Sequence, residues 1–328
     1  MRAAPVAKAL LTCRHLQKHF PAFKPQYDAL GVEARVPGFE GQQLDTAAMR
    51  ALIADVDAVI AGDDAIDASV IEAGKAGRLK AIIKWGVGTD SIDKAAAARL
   101  GVPVFNTPGV FADEVADLAM ALLLGVVRRT HLMNSAIRAG AWTRLEGRTL
   151  AGKTAGVIGL GSIGQGIARR VQAFGMRAIG YDVRALAAGE APGVRQAPLD
   201  AVLRESDAVL LACNLTAENR HMLNEAALAA MKPGVVIVNV SRGPLIDEAA
   251  LAAALASGAV AGAGLDVFEA EPLPADSPLR AFDQCVFTAH AGSSTEEAIA
   301  RINQMTSDIL FHVLGKKPDL GFTPNRVA

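Results

Sequence analysis

Short runs of aliphatic and β-branched residues alternate with longer alanine-rich stretches along most of the 328-residue chain. Runs this short and this uniformly apolar suit parallel strands covered on both faces by helices. They predict strands near Val6–Thr12, Asp57–Ala61, Lys80–Lys84 and Val102–Phe105. A second series of six follows near Ala155–Gly159, Arg177–Tyr181, Asp207–Ala212, Val235–Val240, Val260–Asp266 and Cys285–Thr288. Between the two series, Asp113–Thr130 places Val115, Leu118, Ala119, Leu122 and Val126 at helical spacing, while Met120, Leu123, Leu124 and Val127 make the other faces apolar too. Such a helix must be buried on most sides. One domain seldom achieves this, so the helix is expected to link two domains and to pack against a second copy of the chain. Ser294–Leu314 reads as a last helix returning to the first domain, with Ser293 or Ser294 as N-cap and Glu296 and Glu297 in its first turn.

Composition narrows the function classes. The length favours two domains, each with its own core and with a cleft between them. Thirty-three basic and 34 acidic residues leave a net charge of −1, and no block of like charge supplies a nucleic-acid-binding face. The longest strongly apolar stretch, around 118–127, is about half a membrane span, so no membrane partner is expected. The Leu10–Cys13 run is too short for a signal-peptide core. Cys13, Cys213 and Cys285 are odd in number and far apart, which points to a reducing cytoplasm without a disulfide frame or a metal site.

One motif brings in a cofactor. Gly159-Leu160-Gly161-Ser162-Ile163-Gly164 is a G-x-G-x-x-G that follows a predicted strand and opens a predicted helix at Gln165–Phe174. That context allows a tight turn at Gly159, close approach of backbone to a pyrophosphate at Gly161, and close packing of helix on strand at Gly164. Asp182 ends the next strand, where a carboxylate accepts hydrogen bonds from the adenosine ribose hydroxyls. It would also repel a 2′-phosphate, so NAD is expected rather than NADP. Arg184, two residues on, is read as a surface charge.

Three further segments place an ionisable residue just past a strand end, where ligands of open parallel sheets bind. They are Val238–Gly243 with Arg242, Gly264–Pro272 with Glu271, and Thr288–Gly292 with His290. These residue types suit hydride transfer beside a carboxylate. An arginine fork holds the carboxylate, a histidine exchanges the hydroxyl proton, and a carboxylate behind it fixes its tautomer and raises its pKa.

With these residues the chain resembles the D-isomer-specific 2-hydroxyacid dehydrogenase family over nearly its whole length. The resemblance rests on Gly86-Val87-Gly88, Asn106-Thr107-Pro108-Gly109, the Gly159–Gly164 loop, Ser241-Arg242-Gly243, Asp266-Val267-Phe268 with Glu271-Pro272, and His290 with Gly292. It implies two doubly wound α/β domains, a Rossmann cofactor domain (106–292, with the linker helix 113–130) inserted into a flavodoxin-like substrate domain (1–105 and 293–328). It also implies that Arg242, Glu271 and His290 are catalytic and that the backbone N–H groups of Val87 and Gly88 meet the substrate carboxylate. Ser162 and Ile163 would contact the pyrophosphate, and Asp266 would lie near the nicotinamide. Asn214, Val240, Ser241 and Gly292 complete the implied cofactor contacts, although the family commonly has proline where Asn214 stands. Formate dehydrogenases, which are similar, have glutamine in place of Glu271, which disfavours that activity.

The expected function is therefore NAD-dependent oxidation or reduction at C2 of a small D-2-hydroxy acid, by a cytoplasmic homodimer. D-3-phosphoglycerate dehydrogenase is an alternative, disfavoured by carboxylates in the loop Gly62-Asp63-Asp64, where a phosphate would want cations. An NAD-sensing corepressor is a second alternative. Glu269 is the rival of Glu271, Trp85 is either a pocket wall or core, and Trp142 is expected to plug the structure before the second domain.

Overall fold

The computed structural model describes residues 6–318, 321 and 326–328. The chain divides into two compact units, 1–110 with 295–328, and 111–294. The segment 106–110 groups with the first unit, beyond the expected limit at 105, because the Asn106 amide donates to Val87 O and Thr107 N to Gly86 O. Residues 293 and 294 stay with the second, where Ser294 N donates to Ala291 O.

In the first unit the strands are β1 (Ala7–Leu11), β2 (Val32–Arg35), β3 (Ala58–Ala61), β4 (Ala81–Lys84) and β5 (Val104–Phe105). They form a sheet in the order β2-β1-β3-β4-β5 with every pairing parallel, the flavodoxin-like order. β2 was not expected. Its sequence, Val-Glu-Ala-Arg, lies on the sheet edge and carries charges rather than an apolar run. The last helix, Glu296–Val313, belongs to this unit and is capped by Thr295, whose hydroxyl accepts from Ala298 N. Neither expected serine holds that place.

The second unit contains β6 (Thr154–Ile158), β7 (Arg177–Tyr181), β8 (Val194–Gln196), β9 (Ala208–Leu211), β10 (Val235–Asn239), β11 (Val260–Leu265) and β12 (Val286–Phe287). Their order, β12-β11-β10-β9-β6-β7-β8, is parallel throughout. It is the doubly wound dinucleotide-binding arrangement with one strand added at an edge. The six expected strands are joined by β8, a short polar edge strand.

The expected linker helix runs from Ala112 to Arg128 and is buried by its own unit. It packs on the helix Ser162–Ala173 and on β10 and β11, with Leu122 and Val126 against Gly264 and Gly262 of β11. The chain turns at Arg129, and the next helix, Thr130–Arg138, buries no residue. Trp142 follows, 80% exposed. It is not a plug, since the segment 141–149 has no regular element to pack it. Among the described residues no helix is long and apolar enough to cross a membrane. The three cysteines are free, and burial pushes the Cys13 thiol up to about 12 and those of Cys213 and Cys285 to about 11.

The Thr295 cap has a measurable consequence. Thr295→Ala should lower stability in urea unfolding by about 1 kcal/mol, the usual cost of a lost N-cap, whereas Ser294→Ala should leave it nearly unchanged.

Candidate active site

The glycine loop leaves β6 and enters the helix Ser162–Ala173. A Cβ on Gly164 would stand 1.8 Å from Gly159 O, so the helix approaches the strand as closely as backbone allows. At Gly161 a Cβ would meet nothing within 4 Å, and no side chain caps the first turn. An open helix N-terminus over a bare backbone turn is the surface a pyrophosphate requires. Ser162 is exposed and Ile163 half-buried at that turn. Asp182 Oδ2 accepts from Leu160 N at 2.7 Å and Oδ1 from Arg184 N at 3.1 Å. Each carboxylate oxygen has a second lone pair, so Asp182 can hold the loop and still accept from a ribose. The residues fit a dinucleotide.

The other expected cofactor contacts divide. Asn214 is exposed and its carbonyl accepts from the Asn219 side chain at 2.7 Å. Val240 is packed in the core beside β10, and the Ser241 hydroxyl donates to Cys213 O. The side chains of Val240 and Ser241 serve the protein's own packing.

Past β10, Asn239 closes the turn that carries Arg242. Its amide donates to Arg242 O at 2.9 Å and its Oδ1 accepts from Ser241 N at 3.0 Å. Arg242 is half-buried, with Nη1 donating to Ser241 O at 2.9 Å. Gly243 seats this turn on the segment after β11, since a Cβ there would lie 1.8 Å from the Phe268 carbonyl carbon.

Past β11, Glu271 and not Glu269 reaches the histidine. Its Oε1 accepts from Phe268 N at 3.0 Å, and its Oε2 is 2.8 Å from His290 Nδ1. Glu269 faces His221 at 3.2 Å and accepts from Glu248 N. His290 itself has φ +50, an uncommon conformation for a side chain with a Cβ. Asp266 holds it there. The Asp266 carbonyl accepts from His290 N at 2.7 Å, and the carboxylate accepts from the Thr288 hydroxyl, Ala291 N and Gly292 N at 2.6, 2.7 and 3.0 Å. Asp266 and Gly292, expected as cofactor contacts, thus brace the loop of His290. Asn239 and Thr288 were missed, and nothing in their local sequence marks them.

In the first unit, the loop Gly86–Gly88 follows β4 and is clamped by Asn106 and Thr107, the latter also through its hydroxyl on Gly86 N at 3.2 Å. Val87 and Gly88 are half-buried. Trp85 is core: its Nε1 donates to Asn303 Oδ1 at 2.8 Å and its ring stacks on His15 at 4.9 Å. Of the carboxylates after β3, Asp63 is balanced by a cation and Asp64 is buried among neutral donors. Asp64 is buried and accepts from Leu44 N and Gly62 N, and Asp63 pairs with Lys84 at 2.7 Å. One of the two carboxylates read against a phosphorylated substrate is thus neutralised by a lysine, and the other is buried.

Comparison with known proteins shows the family. Residues 120–292 match the family model described as D-isomer specific 2-hydroxyacid dehydrogenase, NAD binding domain. The chain is 40% identical over 266 residues to a glyoxylate reductase of Korarchaeum cryptofilum, covering 79% of this chain and 80% of that protein. It is 41% identical over 280 residues to a hydroxypyruvate reductase of Thermotoga maritima, covering 84% and 90%. Its fold matches D-lactate dehydrogenase from Aquifex aeolicus, complexed with NAD and lactic acid, with a TM-score of 0.85 at 26% identity over 97% of this chain and 98% of that one.

Because Gly243 meets backbone rather than a yielding side chain, Gly243→Ala must displace the Arg242 turn. A shift on the order of 1 Å should cost about 10²-fold in kcat/KM, with the far-ultraviolet circular dichroism spectrum unchanged.

Proposed function

Because the chain belongs to the D-isomer-specific 2-hydroxyacid dehydrogenase family, and so is an NAD-dependent dehydrogenase, we propose that it reduces a small, unphosphorylated 2-keto acid through Arg242, Glu271 and His290. The observation that carries the proposal is the 2.8 Å bond between His290 Nδ1 and a Glu271 carboxylate already fixed by Phe268 N.

A carboxylate only accepts, so Nδ1 carries the proton in that bond and Nε2 is the nitrogen offered to substrate. In reduction the imidazolium donates from Nε2 to the keto oxygen, and in oxidation the neutral ring takes the hydroxyl proton back. Glu271 stabilises the charged ring and keeps it aligned. Arg242 binds the substrate carboxylate, for which a planar guanidinium fork is suited. Ser162 and Ile163, at the open helix N-terminus, and Asp182 hold the dinucleotide, which supplies or takes up the hydride at C2 when bound.

The substrate class comes from the relatives, which are named for reduction of glyoxylate and hydroxypyruvate. Assays with NADH should show turnover of glyoxylate, hydroxypyruvate or pyruvate above that of 3-phosphohydroxypyruvate. The opposite ranking would restore the phosphoglycerate alternative. His290→Ala should lower kcat about 10²–10⁴-fold, as loss of a proton-transfer group does, and an unchanged kcat would remove His290 from the mechanism.

A homodimer is proposed as well, with the surface moved along the chain from the expected helix. Residues 112–128 bury their apolar side within the unit, whereas Ile137 and Trp142 remain 55% and 80% exposed. Trp142→Glu should convert the dimer to a monomer in light scattering after size exclusion. A wild-type monomer would refute the assembly.

A further inference from the structure

The loop between β7 and β8 holds a charge arrangement that the reaction does not use. Arg184, two residues past Asp182, is half-exposed at its side chain. Its guanidinium engages the Glu190 carboxylate through both terminal nitrogens, Nη1 to Oε2 at 2.8 Å and Nη2 to Oε1. This is the bidentate fork that an arginine otherwise offers to a phosphate. Glu190 is held in turn by Ala187 N at 2.9 Å and by Gln165 Nε2 at 3.3 Å. Gln165 lies in the first turns of the helix that opens at the glycine loop, and its amide also donates to Leu160 O at 2.9 Å. From the far side, Gln196 at the end of β8 donates to Arg184 O at 2.7 Å and accepts from Leu186 N at 3.0 Å. The segment is tied to the glycine loop at one end and to the sheet edge at the other.

We propose that Glu190 is a specificity-determining residue that occupies Arg184 and so withholds it from the 2′-phosphate of NADP. The inference rests on the reading that Asp182 faces the adenosine ribose. A 2′-phosphate brings about two negative charges and needs a cation close by. Arg184 is the cation nearest in sequence to Asp182, and Glu190 satisfies it first. The Arg184 charge holds the Glu190 carboxyl down at about 2, so the pair stays ionised at neutral pH. Asp182 supplies repulsion, and Glu190 removes the compensating attraction. Isolated exposed ion pairs contribute little, but a bidentate pair anchored by further bonds is the exception.

Glu190→Gln tests this. The amide can still accept from Ala187 N, but it no longer neutralises Arg184. Titration of the purified protein with NADPH and with NADH, followed by nucleotide fluorescence, should show the Kd for NADPH falling about three- to fivefold while that for NADH changes by less than about twofold, the scale set by one exposed ion pair. Adding Arg184→Ala to Glu190→Gln should return the NADPH affinity to the wild-type value. An unchanged NADPH affinity in Glu190→Gln, or a gain that survives Arg184→Ala, would overturn the inference. An NADH affinity left unchanged by Asp182→Asn would instead sink the reading of Asp182, whatever Glu190 does.

Discussion

The site of the second unit depends on the buried carboxylate of Asp266. It lies at the end of β11, between the strands that lead to Arg242 and to His290, and the loop after β12 closes on it. Three donors meet its two oxygens, while its carbonyl takes the His290 N–H. A buried carboxylate is costly unless hydrogen-bonded, and here the bonds that satisfy it are those that shape the loop of His290. Holding a residue in a left-handed conformation costs on the order of 1–3 kcal/mol and persists only where the surroundings over-determine it. Asp266 supplies that constraint for His290, and Phe268 N supplies the matching one for Glu271.

The same economy appears at each strand end. Asn239 turns its side chain back on the Ser241–Arg242 backbone, and its carbonyl accepts from Asp266 N. The Arg242 turn is therefore linked to the His290 loop through backbone and through one buried amide. Side chains that bind the protein's own backbone outnumber those left to meet substrate, as expected of a site held on rigid elements.

Most of this was legible where chemistry and periodicity coincide. Apolar runs marked the central strands, and the residues just past them marked the candidate chemistry. β2 and β8 escaped because edge strands need no continuous apolar run, and Val-Glu-Ala-Arg and Val-Arg-Gln carry their charges to solvent. Thr295 displaced two serines as cap because all three have the right chemistry and only backbone geometry chooses among them. Trp142 was misjudged, and Asp63 was read as an open charge, since a sequence shows neither what covers an aromatic ring nor which lysine sits against a carboxylate. Asn239 and Thr288 act through partners distant in sequence, so no local spacing announces them.

On the proposed reading of the nucleotide site, Asp182 carries two burdens at once. Its carboxylate receives Leu160 N from inside the glycine loop and Arg184 N from the loop beyond. Changing it loosens the turn after β6 and, on the proposed reading, alters the charge facing the ribose, so the two effects arrive together. Glu190 carries charge without that burden. It touches Arg184, Gln165 and one backbone N–H, and it reaches the turn between Gly159 and Gly161 only through Gln165, whose amide also donates to Leu160 O. The proposed division is thus one of degree, with Asp182 bonded to the turn directly and Glu190 meeting it at one remove.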